Sequence, residues 1–396
     1  MRKIYYIWVL CWLSVISLFA KEPTLLQKAD KNAMNLWVDS VFNSMSDDEK
    51  IGQLFMVVAD IKTTSQNLQK LIRYVNEVKI GGVLFHKGNP TDQAYLTNKM
   101  QAAAKVPLFV ALDGEWGLSM RLSGTTRFPK NMMLGAIEDN LLIRKYGEEV
   151  ARQCKEMGIH INFAPDLDVN SNVDNPVIGI RSFGEDARMV VDKGLAYSAG
   201  LEEGGVLSVA KHFPGHGDTS EDSHETLPVL YHNRSRLDSV ELVPFRNYIE
   251  RGFSGMMTAH LCIPALEKKK KCPASLSHAV VTDLLQTEMG FEGLCFTDAL
   301  AMKGAANRKS DNPCVKALLA GNDVLLAPAF PVSDFKDVKE AVESGVIPMS
   351  EIEKRCRKIL QYKYISGLNQ YRPIQIKGLD ERLNTAHAAW LAAELN

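Results

Sequence analysis

The sequence predicts an α/β chain folded as a (β/α)8 barrel, and three observations carry that expectation. Short apolar runs recur eight times, stretches with helical spacing separate them, and polar residues stand just past the C-terminal ends of five runs. The runs are Leu54–Val58, Gly82–Phe85, Leu108–Leu112, His160–Ala164, Gly205–Ala210, Gly255–Thr258, Gly293–Thr297 and Asp323–Leu326. Most are continuous rather than alternating, as parallel strands covered on both faces are. Between them, Ser65–Val78 carries Leu68, Leu71, Ile72 and Val75 on one helical face, and Asp139–Met157 carries Leu142, Tyr146, Val150 and Cys154 at fourfold spacing. Glu185–Glu203, Ser239–Arg251, Ser277–Met289 and Asn312–Ala320 read as further helices. Strands alternating with helices also fit an open, doubly wound sheet, but eight of them is the count of a barrel.

In such barrels chemistry sits where strands end and the following loops begin. Here Asp113 follows the third run, Asp166 and Asp168 the fourth, Lys211 and His212 the fifth, His260 the sixth and Asp298 the seventh. One polar residue in such a place is explained by helix capping. Five strands ending this way point to a single mouth.

The ends of the chain read differently from its middle. Arg2 and Lys3 precede an apolar run, Ile4–Ala20, which has the layout of a secretory signal cleaved after Ala20. Leu18 stands where a small residue is preferred, so an uncleaved N-terminal membrane anchor is the alternative. The expected organisation is a signal over 1–20, a catalytic barrel over 21–366, and a linker with a capped Ala-rich helix over 367–396. The expected destination is the periplasm or the exterior, with no stable membrane association once the signal is removed. A balance of 46 Lys+Arg against 47 Asp+Glu gives no basic face for nucleic acid. The cysteines form no CxxC pair, so no structural zinc is expected. Cys262 and Cys272 flank a short loop and could bridge in an oxidising compartment; the others read as buried thiols.

The densest chemistry lies in Lys211-His-Phe-Pro-Gly-His-Gly-Asp-Thr-Ser-Glu-Asp-Ser-His-Glu-Thr-Leu-Pro228. It holds three His, two Asp and two Glu within eighteen residues, and its Gly and Ser content makes it a loop. Asp222 and His224 stand two apart, so a carboxylate can orient an imidazole and raise its basicity for general acid/base work. A bare Asp-x-His also describes a solvated loop, and His212, His216, Asp218 and His224 are residue types that bind metals. The second segment is Phe296-Thr-Asp-Ala-Leu-Ala-Met302, in which Asp298 leaves an apolar strand into a small-residue turn. Alone it reads as a helix cap; opposite an Asp–His pair it is a candidate nucleophile for acetal cleavage.

Together these two segments resemble glycoside hydrolase family 3, and within it the β-N-acetylglucosaminidase branch, over about residues 45–365. The resemblance implies the same barrel and a retaining glycosidase acting on terminal β-N-acetylglucosaminides, such as peptidoglycan fragments. It implies Asp298 as nucleophile, His224 as proton donor and later base, and Asp222 as its partner. It also implies a sugar-binding set of Asp113, Arg121, Arg181, Lys211 and His212, a carbohydrate as sole partner, and neither cofactor nor metal. The family's usual Gly-Gly-Arg is Trp116-Gly117-Leu118 here, so the rim beyond the first sugar is expected to differ, with Trp116 either stacking on a sugar or packing in the core. Many family members carry a second α/β domain that supplies a glutamate as acid/base; this sequence stops soon after the barrel, which favours the Asp222–His224 assignment. β-Glucosidase or phosphorylase chemistry on the same barrel, a metal-dependent hydrolase, and a cell-wall-binding protein without turnover are the alternatives.

Overall fold

The computed structural model describes residues 24–223, 226–305 and 312–396. Eight strands run in parallel: β1 (Phe55–Ala59), β2 (Gly82–Phe85), β3 (Phe109–Leu112), β4 (Ile161–Asn162), β5 (Leu207–Phe213), β6 (Gly255–Thr258), β7 (Leu294–Thr297) and β8 (Leu325–Leu326). The order β7-β6-β5-β4-β3-β2-β1-β8 follows the chain around, with β8 returning to β1. A parallel bridge between Phe296 and Val324 brings β7 to β8 and closes the ring. The fold is therefore a (β/α)8 barrel rather than an open sheet. Every residue of β2, β3, β5, β6 and β7 is buried, which is why these strands read as unbroken apolar runs.

Helices form where the sequence supplies caps. Asp139 caps Asn140–Glu156, Asp186 caps Ala187–Glu203, and Asn312 caps Pro313–Ala320, each side chain accepting an early helical N–H. The expected helix Ser239–Arg251 is instead two, Arg234–Ser239 and Val243–Arg251, with Pro244 in the first turn of the second. Proline has no N–H to continue a helix begun earlier and clashes with the carbonyl four residues back. Beyond Met349–Ile365, the last segment lies along the barrel's outer wall. Asn98 pairs with the backbone of Ile374, and Arg382 with Glu156. Thr385 caps the final helix Ala386–Glu394.

The largest departure from expectation is β5. It runs on to Phe213, so Lys211 and His212 lie within the strand rather than past its end. The reason is the stretch after β4: Lys211 N–H donates to the Pro165 carbonyl at 3.1 Å, and Leu167 N–H to the Lys211 carbonyl at 2.7 Å. Cys262 and Cys272 are both free thiols, so the expected bridge does not form; the other four cysteines after residue 20 are buried thiols, as read. Among the described residues no helix is long and apolar enough to cross a membrane. The expected signal, 1–20, lies outside the described residues.

Candidate active site

At the C-terminal mouth of the barrel, three strands contribute a wall of paired charges. Asp113, just past β3, accepts from Arg121 Nη2 at 2.7 Å and from Lys211 Nζ at 3.1 Å. Glu115, two residues on, is fully buried. It takes Arg181 in a two-point clasp (Nε to Oε2 3.0 Å, Nη2 to Oε1 2.8 Å) and also lies 2.8 Å from Lys211 Nζ. Burial alone would raise both carboxyls, yet Lys211 and Arg121 hold Asp113 low, and Arg181 and Lys211 hold Glu115 well below the usual carboxylate range. Burial likewise opposes the Lys211 ammonium, and Asp113 and Glu115 raise its pKa in spite of it. The wall is ionised on both sides, with donors and acceptors fixed in place.

Next to it stand the carboxylates after β4. Asp168 receives Nδ1 of His212 at 2.7 Å and the backbone N–H groups of His212 and His216, the latter at 2.6 Å. Nε2 of His212 faces Arg181 Nη2 at 3.3 Å. A guanidinium only donates, so that nitrogen accepts, and the ring is neutral with its proton on Nδ1 toward Asp168. Burial and the Arg181 charge push the His212 pKa down to about 4, in keeping with that tautomer. Asp166 is wholly buried, and burial followed by the nearby Asp168 charge raises its pKa well above normal. Asp168 takes three donors, whereas Asp166 takes only the Asp168 N–H on Oδ1 and leaves Oδ2 without one, so Asp166 is the carboxyl pushed further toward its protonated form.

Opposite comes Asp298, half-buried, directly after β7. Its N–H joins the Thr258 carbonyl on β6, and one carboxylate oxygen accepts the Ala299 N–H at 2.7 Å. His260, after β6, braces the same turn: Nε2 donates to the Ala299 carbonyl at 3.1 Å and Nδ1 meets Ser275 Oγ at 2.7 Å. Burial would raise the Asp298 pKa, but His260, the Ala299 N–H and Lys211 act against it, leaving it below the ordinary value. An ionised carboxylate therefore stands within electrostatic reach of the charged wall.

The loop after β5 is pinned to the barrel over its first half. Asn175 holds the His216 carbonyl, the His216 ring lies between Thr219 Oγ1 (2.8 Å) and Ser223 Oγ (3.0 Å), and Gly217 sits so close to Val169 that a Cβ there would meet the Val169 carbonyl oxygen at 1.8 Å. These contacts lead to Asp222, which is half-buried. His224 lies outside the described residues.

Of the sequence-predicted set, the structure thus gathers Asp113, Arg121, Arg181, Lys211 and His212 into one network and sets Asp298 near it. It does not gather His212, His216 and Asp218 as metal ligands: each is engaged elsewhere, Asp218 with His232. Asp166, Asp168 and His212 are close enough to hold an ion. A cation already stands beside them: Arg181 Nη2 lies 3.6 Å from Asp166 Oδ2 and 3.3 Å from His212 Nε2. Trp116 is half-buried, with the Lys130 ammonium 5.5 Å from its ring centre. Sequence reading missed Glu115, whose signal was the Asp-x-Glu spacing at a strand end, and the bracing role of His260.

Residues 46–362 match the family model described as glycosyl hydrolase family 3 N terminal domain. The chain belongs to this family. It is 34% identical over 328 residues to a β-hexosaminidase A from Pseudoalteromonas piscicida, covering 74% of this chain and 55% of that protein. It is 27% identical over 351 residues to a β-N-acetylglucosaminidase/β-glucosidase from Cellulomonas fimi, covering 86% of this chain and 62% of that one. The chain therefore spans a little over half the length of these curated relatives. Among solved structures, a family 3 β-N-acetylglucosaminidase from a Paenibacillus species superposes with a TM-score of 0.82 at 34% identity, covering 89% of this chain and 68% of that one.

Proposed function

We propose that this chain is a retaining β-N-acetylglucosaminidase that removes terminal β-linked N-acetylglucosamine from glycans. The observation that carries the reading is the pairing of an ionised Asp298 with a wall of fixed charges at one barrel mouth. Carboxylates and cations in fixed positions suit a pyranose, accepting from its hydroxyls and donating to hydroxyl and acetamido oxygens. The names of the similar proteins support the choice of sugar.

The reaction has two steps. A carboxylate oxygen of Asp298 attacks the anomeric carbon, the bond to the leaving oxygen breaks, and that oxygen takes the proton of the His224 imidazolium. Water then attacks the same carbon, His224 takes the water proton, and Asp298 leaves as carboxylate. Asp222 orients the His224 ring and favours its charged form. Arg181, Lys211, Asp113 and Arg121 hold the sugar, and His212, neutral and fixed by Asp168, positions Arg181 through its other ring nitrogen. Neither step calls for a cofactor.

Export belongs to the same reading, on the strength of the basic start and apolar run over 1–20, and makes periplasmic or extracellular glycans, including peptidoglycan fragments, the natural substrates. The test compares nitrophenol release from aryl β-N-acetylglucosaminide with that from aryl β-glucoside. Faster release from the N-acetylglucosaminide is expected. Preference for the glucoside, or release from neither, contradicts the reading.

A further inference from the structure

Away from the charged wall, three potential metal ligands meet at the root of the loop that follows β5. Asp218 stands on its outgoing arm and His232 on its returning arm. Glu241 lies in the turn between the helices Arg234–Ser239 and Val243–Arg251. One ligand atom from each lies within 4.8 Å of those of the other two. His232 Nε2 and Asp218 Oδ2 are hydrogen-bonded.

Glu241 is the informative member. It is 3% exposed, and Gly215 of the loop closes over it, so that a Cβ on Gly215 would come within 2.8 Å of the Glu241 Cβ. Arg236 takes one carboxylate oxygen, at 3.1 Å from Nε and 3.0 Å from Nη2. The other oxygen is buried with no hydrogen-bond partner among the described residues. A buried acceptor left unpaired is costly, and such an orphan calls for a water, an ion or a source of strain.

We propose that Asp218, His232 and Glu241 bind a divalent transition cation of the Zn2+ type. One imidazole with two carboxylates is a donor set suited to such ions, whereas Mg2+ and Ca2+ favour oxygen alone. Ligand atoms about 2.0–2.2 Å from a tetrahedral zinc lie roughly 3.3–3.6 Å apart. The hydrogen-bonded Asp218 and His232 atoms therefore move slightly apart and Glu241 moves in, the Nε2 proton of His232 passing to solvent or to Nδ1 as that hydrogen bond is exchanged for two metal bonds. Arg236 remains on the first oxygen of Glu241 as the outer partner that orients a ligand. The side chains of Asp218 and His232 are 21% and 28% exposed, which leaves an entry path. The ion ties residue 218 to residue 232 and neutralises two carboxylates; it has no part in bond cleavage. This site shares Asp218 with the His212, His216, Asp218 and His224 set considered from sequence but takes His232 and Glu241 as its other ligands, and it departs from the expectation of no metal.

The test is isothermal titration of the chelator-stripped full chain with zinc chloride, beside magnesium chloride. One Zn2+ per chain and no heat from Mg2+ are expected, with a higher melting temperature in zinc. His232→Gln and Asp218→Asn, at half-exposed positions, should each weaken binding by at least about tenfold, since even outer-sphere losses cost that much. Glu241→Gln should do the same where circular dichroism shows it folded. Asp298→Asn should bind as the unaltered chain does. No Zn2+ uptake by the stripped chain, or undiminished uptake by His232→Gln and Asp218→Asn, overturns the proposal. Because no glycoside is present, the result stands apart from the proposed activity.

Discussion

Lys211 and Lys363 are both buried in this barrel, and they meet opposite fates. Lys211, at the mouth, sits between the Asp113 and Glu115 carboxylates, which raise its pKa against the pull of burial. Lys363 reaches the floor from the helix Met349–Ile365. There it finds the Gln53 side-chain oxygen at 2.6 Å and the Phe109 ring, and burial pushes its pKa down to about 7. Two other buried groups of the floor follow Lys363. Burial drives His160 down to about 3 and Glu202 up to about 7, so both move toward their neutral forms. At the mouth Lys211, Asp113, Glu115 and Arg181 keep their charge in low dielectric by matching it. At the floor Lys363, His160 and Glu202 have no opposite charge beside them and move toward neutrality, while Lys358 keeps its charge there beside Asp323. The charged end is the one suited to holding a polar sugar.

The sharpest test of the mouth's role in chemistry is Asp298→Ala. It should reduce turnover of aryl β-N-acetylglucosaminide below about a thousandth while leaving the fold intact by circular dichroism. His224→Ala should slow substrates with poor leaving groups by about 10²–10⁴-fold, and activated aryl glycosides far less. Equal losses on both would contradict the donor role.

Glu115→Gln probes charge matching itself. It leaves Arg181 and Lys211 short of a buried partner, and removing one member of a buried pair costs about 3–5 kcal/mol. Chemical denaturation should show that loss, and KM should rise more than kcat falls. An unchanged midpoint would mean the wall does not depend on matched charge.

The floor gives the smaller, pH-dependent effects. Lys363 has a folded pKa of about 7 against an ordinary 10.5. Its unfavourable contribution is therefore absent above 10.5, grows as pH falls, and is complete below about 7. Lys363→Met should flatten the stability profile between about 7 and 10.5. Glu202 works the other way: raised from 4.5 to about 7, it contributes fully below 4.5 and loses that contribution as pH rises through 7. Glu202→Gln should flatten that lower window. Unchanged slopes in both variants would erase the contrast between the two ends.

This contrast also explains how much was visible in sequence. All eight strands were legible, because burial on both faces leaves unbroken apolar runs; β2 and β6 were read to the residue. The continuation of β5 was not, since a charged Lys211 and a polar His212 read as a strand's end, and only pairing with the stretch after β4 makes them strand. Most wall residues were legible through the family motif. Glu115 was hidden beside the better-marked Asp113, because its importance comes from Arg181, 66 residues away. Lys363 left no mark at all: a lysine in an amphipathic helix looks solvated until the helix docks on the barrel floor.

Covalent capture tests the Asp298 nucleophile most directly. The protein would be treated with a 5-fluoro N-acetylglucosaminyl fluoride, which slows the second step so that the glycosyl-enzyme accumulates, and then digested for peptide mass spectrometry. One sugar esterified to Asp298 is the predicted outcome. A sugar found on another carboxylate, or steady turnover by Asp298→Ala with no adduct on the unaltered protein, would contradict it.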